Sequence, residues 1–292
     1  MTTKSSQKDK CSIAIVYRVG TPQAVTLAKN LVSWLKEKGC QVFTAPEQKK
    51  LPGTRVCTSA ELGKVSLTVV LGGDGTYLRA IRLHAGRSIP IIGVNLGSLG
   101  FLTSIRAEDA YRAIDAALAN KMKLSPRALI SVQLYRKGKK KVDLLSLNDV
   151  VIERGSLSQL INIAIYRDKK FISEVKADGI IIASPTGSTA YNLAAGGPIL
   201  HPAVRALVVT PIAPHSLTNR PIIMPDEGKL SFKLVGTLHK AHFVVDGQKI
   251  ADITNEDEIV LHRCPNDHIM VNEPDYSYFR LLREKLRFGE RA

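Results

Sequence analysis

Aromatic side chains are scarce: phenylalanine, tryptophan and tyrosine together make up 5% of the 292 residues, and there is a single tryptophan. That leaves few surfaces on which unpaired bases could stack, and argues against a binder of single strands. Cysteine is sparse too, at Cys11, Cys40, Cys57 and Cys264. No pair has CxxC spacing, so the pattern predicts neither a zinc site nor a disulfide framework. No apolar run reaches the roughly 18 residues of a membrane-spanning helix. Met1 to Lys10 is polar and lysine-rich and lacks the apolar core of a secretory signal, so the cytoplasm is the expected compartment. His84, His201, His215, His239, His242, His262 and His268 form no HExxH or comparable pattern, and no metal ligand is assigned. Also missing are G-x-G-x-x-G, G-x-x-x-x-G-K-[ST] and G-x-S-x-G, which takes support from Rossmann dehydrogenases, P-loop proteins and serine hydrolases.

What is present is an ordinary globular composition, 45% hydrophobic and 23% charged, ample for a core without covalent staples. The formal charge of +15 is the unusual quantity. It favours anionic partners: nucleic acid, an anionic membrane, or a phosphorylated small molecule. The basic residues are spread along the chain, and the densest run, Lys137 to Lys141, contains Gly138 and reads as a solvated hairpin turn. A basic surface serving a phosphorylated substrate is preferred over nucleic-acid binding.

The hydrophobic period divides the chain. Residues 11–17 form an apolar run of strand length, and Thr21-Pro22 opens a helix with Ala24, Leu27, Ala28, Leu31 and Leu35 on one face and Gly39 as its stop. Strands follow at Gln41 to Thr44, Leu67 to Leu71 and Ile89 to Val94, with helices at Thr76 to Ala85 and Glu108 to Leu118. This alternation predicts an α/β domain over residues 1–125 with a Rossmann-like, mainly parallel sheet. From Ser125-Pro126 the pattern becomes period two, as in Ile130-Val132-Leu134, Ile161-Ile163-Ile165 and Leu230-Phe232-Leu234. Antiparallel strands are therefore expected from about 129 to 272, in an all-β domain over residues 126–274. A terminal segment, residues 275–292, carries a helix from Tyr276 to Leu286 that packs back on the first domain.

Four stretches carry candidate chemistry. Gly72-Gly73-Asp74-Gly75-Thr76 ends a buried strand and enters a helix, where glycines permit close approach of a phosphate and helix amides attract its charge. Asp74 would repel that phosphate unless it binds a metal ion or takes a proton from an attacking hydroxyl; the bland alternative is a simple Gly-Asp-Gly turn. Asp178-Gly179, the strand Ile180 to Ala183, and then Ser184 to Tyr191 and Gly196-Gly197-Pro198 place hydroxyls and free amides where a strand meets a helix. A capped helix would need no ligand there. Asn148-Asp149 suits a ribose or a base edge, or is only a strand end. Asp246-Gly247-Gln248 reads as a hairpin turn.

Together these stretches resemble one family, the NAD kinases. The likeness includes GGDGT, the segment Asn95-Leu96-Gly97-Ser98-Leu99-Gly100-Phe101-Leu102, the Asn148-Asp149 pair, the block from Asp178 to Pro198, the DGQ turn and Asp275-Tyr276-Ser277-Tyr278-Phe279. Its order and spacing run over nearly the whole chain. GGDG alone is shared with lipid kinases and phosphofructokinases, whereas the Asp178 to Pro198 block is far more specific. The resemblance implies transfer of the γ-phosphoryl group of ATP to NAD with a divalent cation, expected to be Mg2+, an active site between the two domains, and a homo-oligomer, a dimer or tetramer. It implies Asp74 as the base on the adenosine ribose 2′-hydroxyl, amides of Gly73 and Gly75 on diphosphate, and Arg79 within reach of phosphate. Asn148 and Asp149 would hold the adenosine part, and Lys176, Asp178, Thr189, Ala190, Tyr191, Asn192, Leu193, Ala194 and Gln248 would line the rest. Asp149 stands where the family more often has Glu, Lys176 where it has Arg, Ser184 where it has Thr, and Asn192 and Ala194 where serines are frequent. A related lipid kinase would not carry the Asp178 to Pro198 block. A non-catalytic basic nucleic-acid binder would show a basic face interleaved with aromatics, which the sequence lacks.

Overall fold

The structure, a computed structural model, describes residues 11–155, 159–236, 240–287 and 289; the polar stretch Met1 to Lys10 and His239 lie outside the described residues. Two units result, Met1–Pro126 with His268–Ala292, and Arg127–Asp267.

In the first unit β1 (Ser12–Tyr17) is almost wholly buried, as a parallel strand covered on both faces must be. α1 (Pro22–Glu37) begins after extended Thr21 with proline at its first position. Just beyond its end, Gly39 takes a φ of +79°, the left-handed conformation that favours glycine. There follow β2 (Gln41–Thr44), β3 (Arg55–Val56), α2 (Ser59–Leu62), β4 (Leu67–Leu71), α3 (Asp74–His84), β5 (Ile91–Asn95), β6 (Ile105–Arg106), α4 (Ala110–Leu118) and β7 (Lys123–Arg127). The neighbours run β3-β2-β1-β4-β5, with the pairings parallel. Ile13, Ile15 and Tyr17 of β1 pack with Ala28, Leu31 and Leu35 of α1 and Ile114 of α4. On the other face Ala14 and Phe43 meet Leu62 of α2 and Leu83 of α3. Helices thus cover both sides of a doubly wound sheet. α3 starts at Asp74, two residues before the expected Thr76: an acidic residue suits the positive helix end, and a glycine in the first turn forfeits no internal bond.

Cysteine spacing predicted no disulfide, and the structure corrects this: Cys11 is bonded to Cys40. The cause is topological. β1 and β2 pair parallel with Ser12 opposite Gln41, so the residues just before each strand stand side by side, 4.8 Å apart at Cα.

The second unit is built from β8 (Ile130–Arg136), β9 (Lys139–Ser146), β10 (Asp149–Arg154), β11 (Ile161–Arg167), β12 (Lys170–Ala177), β13 (Gly179–Ala183), the short helix α5 (Tyr191–Ala194), β14 (Ala206–Ile212), β15 (Ile222–Pro225), β16 (Leu230–Val235), β17 (Ala241–Val245), β18 (Gln248–Ile253) and β19 (Asp257–Arg263). Two antiparallel sheets form, β15-β14-β13-β10-β17-β18 and β12-β11-β16-β19-β8-β9. The period-two apolar positions of both sheets, among them Val132, Ile152, Ile163, Ile180, Phe232 and Phe243, share one core. The opposite face of the first sheet, Val151, Ile181, Ala183 and Val208, is covered by Ala195 and Leu200 from the segment after α5.

The chain then returns to the first unit. Antiparallel strands dominate from about 129 to 272, as expected, and only the last strand of that stretch departs from them. β20 (His268–Asn272) lies between β5 and β7 and runs parallel to β5, with Met270 opposite Ile91. α6 (Tyr278–Leu286) follows, its first turn capped by Ser277, and buries Tyr278, Leu281 and Leu282.

Candidate active site

The order β3-β2-β1-β4-β5 reverses direction between β1 and β4, and in open α/β sheets ligands bind outside the carboxyl ends of the strands at such a reversal. β4 ends there in Gly72-Gly73-Asp74-Gly75, and β1 ends beside it, the Arg18 N–H bonding the Leu71 carbonyl at 2.8 Å. Asp74 is half-buried and Gly75 exposed, at the positive end of an eleven-residue helix.

The Asp74 carboxylate is held by the loop that follows β5. Its Oδ1 accepts hydrogen bonds from the N–H of Leu102 and Thr103, each at 3.1 Å, and from the Thr103 hydroxyl at 3.0 Å. Its Oδ2 accepts one, from the Phe101 N–H at 2.9 Å. Asn95, at the end of β5, supports the loop: its Oδ1 accepts the Gly97 N–H at 2.6 Å and its Nδ2 donates to the Thr103 hydroxyl at 2.9 Å. Gly100 has no room for a side chain, since a Cβ there would overlap Asp74 Oδ1. Arg79 lies one turn along α3, but its guanidinium donates to the Glu47 carbonyl at 3.0 Å and sits 3.9 Å from that residue's carboxylate.

In the second unit a second Asp-Gly turn organises a polar cluster. Asp246 joins β17 to β18 and is buried. Its carboxylate accepts the Ser146 hydroxyl at 2.7 Å and the N–H groups of Leu147, Asn148 and Asp149 at 3.0, 2.8 and 3.2 Å. Asp149 in turn is buried, and its carboxyl is pushed up to about 7, first by burial and then by the charge of Asp246; an N–H from Tyr191 opposes the shift. The alternation along β10 puts Asp149, Val151 and Glu153 on the face away from the sandwich core. There burial, and then the charges of Glu153, Asp149 and Asp178, raise the Tyr191 phenol. Asp178 pairs with Arg154 at 3.2 Å. Glu153 is the member of this group that sequence reasoning missed; its place two residues beyond Asp149 in a strand was the available clue.

The segment from Ser184 to Gly197 is tied down from within. The Ser184 hydroxyl bonds the Leu147 carbonyl, and Ser184 N–H bonds the Asn148 carbonyl at 2.8 Å. A Cβ on Gly187 would overlap the Asn148 backbone, so only glycine permits this approach. The expected helix after Thr189 amounts to one short turn, α5.

The chain as a whole is similar to proteins of known activity. The family model for the ATP-NAD kinase N-terminal domain matches residues 13–122, and that for the C-terminal domain matches residues 147–272. The chain belongs to the NAD kinase family. It is 55% identical to the NAD kinase of Bdellovibrio bacteriovorus over 285 residues, covering 97% of this chain and 94% of that protein. Against the NAD kinase of Geotalea daltonii the figures are 38% over 281 residues, 96% and 99%. Among solved structures, yeast NADH kinase complexed with NADH superposes with a TM-score of 0.89 at 25% identity, covering 98% of this chain and 90% of that one. An NAD kinase from Archaeoglobus fulgidus in complex with ATP gives a TM-score of 0.76 at 25% identity, covering 94% and 98%. As a member of the NAD kinase family the chain is a phosphotransferase.

Set against the residues that the NAD kinase resemblance implies, the structure sorts them by exposure. Lys176, Tyr191, Ala194 and Gln248 are exposed, and Asn148, Asp178, Thr189, Ala190 and Leu193 are half-buried. Asn192 is fully buried. Its amide donates to the Ser188 and Pro198 carbonyls at 3.0 Å each and accepts the Thr210 hydroxyl at 2.7 Å, so its side chain braces the segment from inside.

Proposed function

We propose that this chain transfers the γ-phosphoryl group of ATP to the 2′-hydroxyl of the adenosine ribose of NAD, giving NADP and ADP. The observation that carries the reading is Asp74, a carboxylate fixed by four hydrogen bonds at the carboxyl end of β4, beside the amides of a helix start. Phosphoryl transfer asks chiefly for positioning and neutralisation of charge. In the proposed reaction the ribose hydroxyl gives its proton to Asp74, its oxygen bonds the γ-phosphorus, and the bond to the bridging oxygen breaks, the electron pair leaving with ADP. The amides of Gly73 and Gly75 are assigned to phosphate, as helix-start amides suit it. Asn148 and Asp149 are assigned to the adenosine part, and Lys176, Asp178, Thr189, Ala190, Tyr191, Leu193, Ala194 and Gln248 to the rest of the dinucleotide. Arg79 reaches phosphate only if it leaves Glu47.

A divalent cation, Mg2+, belongs to the reading. Among the described residues no three His, Cys, Asp or Glu side chains gather to hold an ion. On this reading the cation would be held largely by the triphosphate's own oxygens and water, the usual habit of Mg2+. When bound it neutralises charge on the transferred group. The chain is further read as a cytoplasmic homo-oligomer, a dimer or tetramer. Among the described residues no helix is long and apolar enough to cross a membrane.

The test is ADP release from ATP and Mg2+ in the presence of candidate acceptors, with NADP confirmed as the product from NAD. NAD should react much faster than adenosine or AMP, because remote contacts orient the reacting hydroxyl. Equal rates for NAD and adenosine would remove the dinucleotide from the reading.

A further inference from the structure

We propose that Thr103, oriented by Asn95, is a positioning residue for the base, and that Oδ2 of Asp74 is the oxygen that receives the proton. The inference deepens the function proposed above and rests on it. The donors and acceptors around Asp74 can be counted. Asn95 Oδ1 accepts the Gly97 N–H at 2.6 Å, which settles which end of the amide faces Thr103: the nitrogen, at 2.9 Å. An amide nitrogen can only donate. It therefore occupies a lone pair of the Thr103 hydroxyl oxygen, and the hydroxyl proton is left to point at Asp74 Oδ1, 3.0 Å away. The relay has one direction, from Asn95 through Thr103 to Asp74.

The same count separates the two carboxylate oxygens. Oδ1 takes three donors, the N–H groups of Leu102 and Thr103 and the Thr103 hydroxyl. A carboxylate oxygen has about two lone-pair sites, so Oδ1 has none left for a substrate. Oδ2 takes one donor, the Phe101 N–H, and keeps one acceptor site. A ribose hydroxyl can therefore bond only to Oδ2. Thr103 and Asn95 are both buried, which keeps water from replacing either link, and the crowding at Gly100 pins the loop against Oδ1. The loop after β5 thus sets the rotation of the Asp74 carboxylate. That is a role for the Asn95 to Thr103 segment that its sequence alone does not reveal.

Steady-state kinetics on three variants, each with its melting temperature, test the relay. Thr103→Val keeps the shape and removes the donor. Asn95→Asp keeps the acceptor for Gly97 and puts an acceptor where the donor stood, so that it draws the hydroxyl proton away from Asp74. Thr103→Ser restores the hydroxyl. The first two should lose about tenfold or more in kcat with KM for NAD and ATP within about threefold of wild type, and Thr103→Ser should regain most of the loss. A merely structural role would move stability in all three without this split between kcat and KM. Val and Asp variants with kcat near wild type, or a Ser variant as slow as Val, would overturn the relay while leaving the kinase reading intact. A wild-type chain that makes no NADP would instead overturn the kinase reading, and the relay with it. Should Thr103→Val fail to fold, Asn95→Asp and Thr103→Ser decide.

Discussion

Replacing Asp74 by asparagine separates the role of base from that of loop tie. The amide oxygen can take the place of Oδ1 and keep its three donors, from Leu102, Thr103 and the Thr103 hydroxyl. The amide nitrogen then occupies the Oδ2 position, where it faces the Phe101 N–H as donor against donor. One charge-assisted hydrogen bond is lost and three become neutral, a destabilisation of about 2–3 kcal/mol. For a unit of this size that lowers the melting temperature by roughly 4–12 °C. Proton acceptance is lost entirely, so kcat should fall by at least about two orders of magnitude, with KM for NAD little changed. The decisive assay measures NADP formation well below the lowered melting temperature, with saturating ATP and NAD and the folded fraction checked by circular dichroism. If Asp74 only ties the loop, the cold, folded, saturated variant recovers its turnover. A kcat within about tenfold of wild type under those conditions would refute the argument for a base.

Two further outcomes follow from the same structure. The Asp149 carboxyl, pushed up to about 7 from an ordinary 3.8, holds a proton in the folded chain that the unfolded chain releases between those values. Its contribution to stability should therefore fall as pH rises from about 4 to 7, by at most about 4 kcal/mol, and Asp149→Asn should remove that slope. Denaturant unfolding of both proteins at pH 5 and pH 8 checks this, and parallel losses in the two would count against it. His84, buried against Thr68 and lowered to about 4, works in the opposite sense: it loses stability as pH falls from 6.5 toward 4. It is common to both proteins and cancels in the difference. The Cys11–Cys40 bond closes a loop with a sequence separation of 29, for which chain entropy gives roughly 3–4 kcal/mol. A reductant should lower the melting temperature by several degrees in wild type and not in Cys40→Ser; equal shifts in both would show that the bond contributes nothing.

Much of the first unit was legible because its signals are local. The Thr21-Pro22 opening, the Gly39 stop and the two glycines after Leu71 each act within one turn of the backbone. Period-two runs likewise announced the strands of the second unit, since one face of each enters a shared core. What escaped was long-range. Nothing within His268–Asn272 says that it will join a sheet made some 170 residues earlier, because partner choice is settled by packing and not by propensity. The disulfide was hidden for the same reason, as Cys11 and Cys40 meet only when β2 has folded back beside β1. Gln248 and Lys176 came from the resemblance alone, and both are exposed.

The Asp-Gly turns show why a motif of two residues cannot be read by itself. Asp74 follows a wholly buried strand and Asp246 one of alternating burial, and each accepts four hydrogen bonds from a distant loop. In both, three donors converge on Oδ1 and one on Oδ2: from residues 101–103 for Asp74, and from Ser146 to Asp149 for Asp246. By turn chemistry alone the two are equivalent. They differ in what lies on the far side of Oδ2. Asp246 is buried, so its spare acceptor site faces protein, and its work is to hold Asn148 and Asp149 and to raise the Asp149 carboxyl. Asp74 is half-buried beside the exposed Gly75 at the start of a helix, a place whose amides suit a phosphate. On the proposed reading the same arrangement is structural in one place and chemical in the other, and burial, which is absent from the motif, would make the difference.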